Sequence, residues 1–155
     1  MVAGGTGERF GRPKQYESLG DERVIDRSAR IARSATDGVV LVVPPDDVAR
    51  EGGRPGGTTR SASVRSGLAA VPDDVGIVCV HDAARPGATG ELYRRVIEAG
   101  DAGAAAAVPG VPVTDTIKVA DVTGSVVATP ERASLRAVQT PQAFRADALR
   151  GAHAD

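Results

Sequence analysis

Apolar residues along this chain fall into short unbroken runs that alternate with longer segments of helical spacing. The runs are residues 39–43 (Val-Val-Leu-Val-Val, stopped by Pro44 and Pro45), 76–80 (Gly-Ile-Val-Cys-Val) and 104–108 (four Ala and Val108, stopped by Pro109). Runs that are apolar on both faces suit parallel strands covered on each side by helices. Between them, Val24, Ile25, Ala29 and Ala32 recur on one face of residues 24–35. Val64, Leu68 and Val71 do the same behind Thr59, and Leu92, Val96 and Ala99 behind Thr89; both threonines are candidate helix N-caps. Strand and helix alternating at this spacing predict βαβ units with right-handed crossovers.

Beyond Pro109 the pattern changes. Residues 116–120 and 125–128 read as the arms of a hairpin whose turn, 121–124, ends on Gly124, a residue able to take the positive φ such a turn needs. Residues 135–140 predict one more short strand. In the tail, Phe144, Ala148 and Leu149 stand at helical spacing behind Pro141, which predicts a helix with proline in its first turn. The expectation is an α/β fold: a doubly wound, mostly parallel sheet with a late β-hairpin excursion.

Length and composition agree with one domain. The 155 residues are 41% apolar, 25% charged and 3% aromatic, and a domain of this size buries about 70% of its unfolded surface without needing cross-links. One cysteine excludes a disulfide framework, and its place inside the 76–80 run makes Cys79 a buried structural thiol. No apolar stretch reaches the roughly 18 residues of a membrane span, and the N-terminus lacks the pattern of a signal peptide, so a cytoplasmic location is expected. Nineteen basic against 20 acidic residues exclude broad electrostatic binding to nucleic acid or to an anionic membrane. Any anion must be held locally, and lysine is scarce enough, at Lys14 and Lys118 only, to make each one notable.

Four clusters carry candidate chemistry. The first, residues 2–15 (Val-Ala-Gly-Gly-Thr-Gly-Glu-Arg-Phe-Gly-Arg-Pro-Lys-Gln), places Gly4, Gly5 and Gly7 beside Arg9, Arg12 and Lys14. Glycines let backbone N–H groups approach an anion and the cations neutralise it, which makes a phosphate cradle. A flexible glycine-rich terminus is the other reading, and neither Walker A nor dinucleotide spacing is met. The second cluster, residues 81–86 (His-Asp-Ala-Ala-Arg-Pro), follows a predicted parallel strand at its carboxyl end, where ligands of open α/β sheets bind. A carboxylate there, Asp82, is placed to hold Mg²⁺ against phosphates; a loop or capping aspartate is its alternative. His81 has no histidine near it, so a zinc site is not expected and a packed or loop-bonding role is. The third, residues 56–64, is a glycine turn entering a helix, with Gly57, Arg60 and Ser63 able to read a polar ligand or simply to cap the helix. The fourth gathers 114–118, Arg132 and 139–142 around the excursion, where spacing alone makes no site.

Together these blocks resemble the 2-C-methyl-D-erythritol 4-phosphate cytidylyltransferase family. The matching pieces are residues 3–11 with 13–16, Gly56 and Gly57 with Arg60 and Ser63, residues 81–86, residues 115–118 and residues 139–142. They occur in family order over most of the chain; the glycine loop is shared by many nucleotidyltransferases, the 81–86 block by far fewer. The resemblance implies a Rossmann-like nucleotide-binding sheet with a β-hairpin dimerisation arm, and transfer of CMP from CTP to 2-C-methyl-D-erythritol 4-phosphate with release of pyrophosphate. It implies Arg9 and Lys14 as catalytic residues stabilising the triphosphate. It places Ala3, Gly4, Gly5, Gly7, Gly57, Arg60 and Ser63 around the nucleotide and Asp82 on Mg²⁺. Arg85, Thr116, Arg132 and Thr140 match positions that contact the polyol phosphate. The same family forms homodimers through an interlocking arm, here expected over about 112–138, which brings some of these residues from the partner subunit. The chemistry asks for no general base, since a phosphate monoester with a second pKa near 6 is already largely ionised at neutral pH.

Against that family pattern, only three residues precede the glycine loop and no later lysine follows residue 118. The expectation is therefore one incomplete nucleotidyltransferase domain over 1–155, shortened at both ends. Two other functions compete: a ribitol-5-phosphate cytidylyltransferase, and a catalytically silent nucleotide-binding module.

Overall fold

The computed structural model describes residues 1–5 and 11–154. Its elements, in chain order, begin with a small antiparallel pair, β1 (Ser18–Leu19) and β2 (Glu22–Arg23), then α1 (Val24–Ala35). Next come β3 (Val42–Val43), α2 (Val48–Glu51), β4 (Arg54–Pro55), α3 (Arg60–Leu68), β5 (Ile77–Val80) and α4 (Gly90–Asp101). The chain continues with β6 (Ala106–Ala107), β7 (Gly110–Pro112), β8 (Val119–Ala120), β9 (Val126–Ala128), β10 (Arg136–Val138), β11 (Gln142–Arg145) and α5 (Ala146–Gly151).

The central sheet is joined at Val2. β3 and β4 pair in parallel, β11 runs antiparallel between β5 and β6, and Val2 bridges in parallel to both Val42 and Asp82. The hydrogen bonds that seat it are Val2 N–H to His81 O at 2.7 Å, Ala83 N–H to Val2 O at 2.9 Å and Ala3 N–H to Val42 O at 2.7 Å. Across the sheet the order is therefore β4, β3, the Val2 segment, β5, β11, β6, and only β11 opposes the rest. The segment that leads into the glycine loop, Val2 and Ala3, thus lies in the middle of that sheet, between β3 and the residues that follow β5.

Helices cover both faces, as the two-sided apolar runs require. On one face Ala3, Ile25, Val43 and Ala83 pack together, continued by Ala32, Ala88 and Tyr93 with Cys79 against them. On the other, Val64, Leu68, Val80 and Leu149 form the core under α3 and α5, with Val2, Val78 and Phe144. The helix starts follow local chemistry. Thr59 accepts a hydrogen bond from Ala62 N–H at 3.0 Å and Thr89 one from Leu92 N–H at 3.2 Å, so both are N-caps. Ser28, buried in α1, donates to the Ala83 carbonyl at 2.8 Å and ties that helix to the loop after β5.

Three local readings are corrected. The tail is not one helix: residues 142–145 are strand β11, and α5 starts only at Ala146. Phe144 is held by its pairing with Val78 and Ala106, strands 38 or more residues away, which a local spacing rule cannot register. The buried face of α4 is Tyr93, Val96 and Gly100, one position from Leu92, because the Tyr93 ring fills the space beside Ala32 and Ala88. The runs at 39–43 and 104–108 pair over two residues each, 42–43 and 106–107.

The excursion stands apart from this core. β7 and β10 pair antiparallel, and the hairpin of β8 and β9 turns at Gly124, whose φ is +86°. Asp121 closes that turn by accepting from Thr123 and Ser125 backbone N–H groups at 2.9 and 3.0 Å. Nearly every residue from 110 to 138 is exposed. No helix among the described residues is long and apolar enough to cross a membrane.

Candidate functional site

At the carboxyl end of the sheet, three backbone segments converge at residues 3–5, where the glycine loop starts. Gln15, buried in the turn Lys14–Tyr16, donates from Nε2 to the Ala3 carbonyl at 2.8 Å and to the Gly5 carbonyl at 3.1 Å. This side chain holds the start of the loop in place; the sequence motif contains it, but only the fold shows its task. Ala3 is buried, and a Cβ on Gly4 would stand 3.5 Å from Ser63 Oγ. Ser63 accepts from Gly57 N–H at 3.1 Å and bonds the Thr59 carbonyl at 3.0 Å, so its hydroxyl pins the Gly56–Gly57 turn against the first turn of α3. A Cβ on Gly57 would lie 2.4 Å from Ala62 Cβ, so only glycine fits there. Gly4, Gly57 and Ser63 thus line one place.

Asp82 stands two residues past β5, after His81, and its carboxylate meets two arginines. Arg60, at the start of α3, reaches Oδ1 at 3.2 Å, and Arg85 reaches Oδ2 at 3.3 Å. Arg85 also donates to the Gln139 amide oxygen. These are partly exposed pairs, worth about 0–1 kcal/mol each in water. Beneath them, Thr140 is buried; its hydroxyl accepts from Asp82 N–H at 3.3 Å and sits 2.9 Å from His81 Nδ1. His81 itself is 1% exposed and packs edge-on to Tyr93, with ring centroids 5.6 Å apart. Burial pushes its pKa down to about 4 against the pull of Asp82, so the ring is neutral. The packed, loop-bonding histidine is what the structure contains.

The remaining site residues divide. Lys14 is exposed on the turn that carries Gln15. Arg9 and Gly7 lie outside the described residues. Thr116 and Arg132 are on the excursion, and Arg132 bonds within it, donating to the Thr114 carbonyl at 2.9 Å. The fold therefore brings together Ala3, Gly4, Gly57, Arg60, Ser63, Asp82, Arg85 and Thr140, and leaves Thr116 and Arg132 on the arm.

The donor set suits a magnesium ion carried in with phosphates. Mg²⁺ takes hard oxygen ligands, keeps several waters, and is anchored by as little as one carboxylate plus substrate phosphates. Asp82 is one such carboxylate, at the strand end where phosphates would lie. A preformed cage is another matter: among the described residues no group of three or more histidine, cysteine or acidic side chains comes together.

Known proteins carry the same arrangement of chain. The chain is similar to a bifunctional enzyme IspD/IspF from Nitrobacter hamburgensis, 48% identical over 168 aligned residues that cover 99% of this chain and 41% of the relative. It is 45% identical to a 2-C-methyl-D-erythritol 4-phosphate cytidylyltransferase from Rhodococcus jostii, over 99% of this chain and 73% of that protein. It spans about two fifths of the bifunctional relatives it matches. Among solved structures, the 2-C-methyl-D-erythritol 4-phosphate cytidylyltransferase of Thermus thermophilus superimposes with a TM-score of 0.79 at 35% identity, covering 99% of this chain and 72% of that one. A 4-diphosphocytidyl-2C-methyl-D-erythritol synthase from Anaerococcus prevotii gives 0.80 at 27% identity. The model of the family described as IspD, 2-C-methyl-D-erythritol 4-phosphate cytidylyltransferase, matches residues 1–155. With a family model matched over its whole length and a relative 45% identical over 73% of that protein, this chain belongs to that family.

Proposed function

We propose that this chain acts as a cytidylyltransferase: the phosphate of 2-C-methyl-D-erythritol 4-phosphate attacks the α-phosphorus of CTP, a P–O bond forms, and pyrophosphate leaves. The observation that carries the reading is the convergence of Arg60, Arg85 and Thr140 on Asp82, beside the turn of Gly57 and Ser63. The reaction needs charge neutralisation and alignment and little else, because the nucleophile is already ionised. Arg9 and Lys14 would balance the triphosphate and the charge that builds on the leaving pyrophosphate. Ala3, Gly4, Gly5, Gly7, Gly57 and Ser63 would enclose cytosine and ribose. Arg60 and Arg85 would turn from Asp82 to phosphate oxygens, Arg85 to the polyol phosphate with Thr140. Asp82 would hold Mg²⁺, which supplies a Lewis-acid charge next to the phosphates. The domain would span 1–155 with its arm at about 112–138, work as a homodimer in the cytoplasm, and take Thr116 and Arg132 from either copy.

Pyrophosphate release tests this directly. Purified chain with Mg²⁺ and CTP is expected to release pyrophosphate with 2-C-methyl-D-erythritol 4-phosphate and far less with ribitol 5-phosphate. Asp82→Asn should lower turnover on the order of a hundredfold. Faster turnover with ribitol 5-phosphate would reassign the acceptor, and CTP binding without release would mark a silent module.

A further inference from the structure

The Thr140 hydroxyl touches two fixed groups. It accepts from Asp82 N–H at 3.3 Å and lies 2.9 Å from Nδ1 of the buried His81. A hydroxyl oxygen has one proton and two lone pairs, and Asp82 takes one lone pair. Two arrangements then remain. If Thr140 donates to a bare Nδ1, its proton is committed and a third partner must be a donor. If Nδ1–H donates to Thr140, both lone pairs are filled and the proton is left for a third partner that accepts.

The proposed function decides between them, and this inference rests on that reading. An ionised phosphate carries acceptors only, so a Thr140 that binds the polyol phosphate must donate to it. We infer that His81 is a positioning residue: as the neutral Nδ1–H tautomer it donates to Thr140 Oγ1 and so turns the Thr140 proton toward a phosphate oxygen of the acceptor substrate. The other ring nitrogen agrees. Nε2 is buried with no hydrogen-bond partner among the described residues. In the Nδ1–H tautomer that orphan is a lone pair, whereas the alternative would strand a buried N–H, the rarer and costlier defect. Because the same Thr140 oxygen also holds the Asp82 main chain, one histidine sets the geometry between the metal-bearing residue and the acceptor phosphate.

Two measurements test it. The chain has two histidines, so long-range ¹H–¹⁵N correlation of ¹⁵N-histidine protein, with His81→Asn to assign the signals, reads the tautomer without any turnover. A pyrrole-type Nδ1 and pyridine-type Nε2 at His81 are expected; the reverse pattern overturns the inference. In kinetics, asparagine places an amide nitrogen where Nδ1 stood and glutamine places it near Nε2. His81→Asn should keep KM for the polyol phosphate near wild type, while His81→Gln and His81→Leu raise it by about tenfold or more, as loss of a hydrogen bond to a charged group does. KM for CTP should stay unchanged in all three. Equal losses in the Asn and Leu variants, or a matching rise in KM for CTP, would overturn the positioning role. If His81→Leu does not fold, Thr140→Val against Thr140→Ser makes the same comparison at the hydroxyl. Wild-type protein that releases no pyrophosphate with any polyol phosphate would sink the proposed function, and the tautomer measurement would still decide this step on its own.

Discussion

At the scale of single residues, the environment of a side chain decides its chemistry more than its type does. Cys79 lies in β5 behind the Tyr93 and Ala32 cluster, and burial pushes its thiol up to about 11. At pH 8 the thiolate is then on the order of 0.1% of the total, and the thiolate is the nucleophile. Native protein should therefore react slowly with iodoacetamide at pH 8, speed up about tenfold per pH unit toward pH 10, and react quickly once unfolded in guanidinium. Rapid alkylation of the native chain at pH 8 would contradict the placement. The apolar run predicts a buried Cys79, and the structure packs it against that cluster but leaves it only partly buried. The hydrogen bonds of Gln15 and His81 were not legible. Both depend on backbone carbonyls and hydroxyls 10 to 59 positions away in the chain, and nothing in the local pattern points that far.

At the scale of elements, helix boundaries were readable where a cap announced them and faces were readable where aliphatic residues marked them. α1 and the starts of α3 and α4 follow from such signals. β11 does not, since a four-residue strand running straight into a helix has the same apolar spacing as a longer helix. The turn before α3 shows how tightly one element can fix a site. Gly57 packs on Ala62 so closely that an added Cβ would overlap it at 2.4 Å and crowd its carbonyl carbon at 3.2 Å. Gly57→Ala must push the turn off the helix and break the Ser63 bond to Gly57 N–H, at about 1–3 kcal/mol of stability. CTP binding, measured by calorimetry with Mg²⁺, should weaken by tenfold or more. The double variant Gly57→Ala with Ala62→Gly removes the overlapping methyl and should recover most of both losses. If it recovers neither, steric contact with α3 is not what makes this glycine necessary.

At the scale of the whole molecule, the excursion is the part of the fold that its own core does not explain. A two-stranded hairpin is marginally stable in water, yet β8 and β9 stand out with Val119, Val126 and Val127 exposed, Val122 fully so, and Val111 and Val138 exposed on the neighbouring β7–β10 pair. An apolar surface of that extent marks an interface, and the proposed occupant is a second copy of the chain. Thr116 and Arg132 sit on this arm, and Arg132 bonds within the arm, whereas Arg85 and Thr140 sit at Asp82. A homodimer that lends arm residues to the neighbouring site would complete the acceptor side while leaving the nucleotide side within one chain. Val126→Asp with Val127→Asp places two charges in that interface and touches none of the proposed site residues. Sedimentation velocity should show the wild type as a dimer and the double variant as a folded monomer, its far-UV spectrum retained. The monomer should bind Mg²⁺ and CTP as the wild type does and lose turnover with the polyol phosphate. A monomeric variant with full turnover would show that the acceptor site is built within one chain, and a wild type that stays monomeric at high concentration would leave the apolar arm to a different partner.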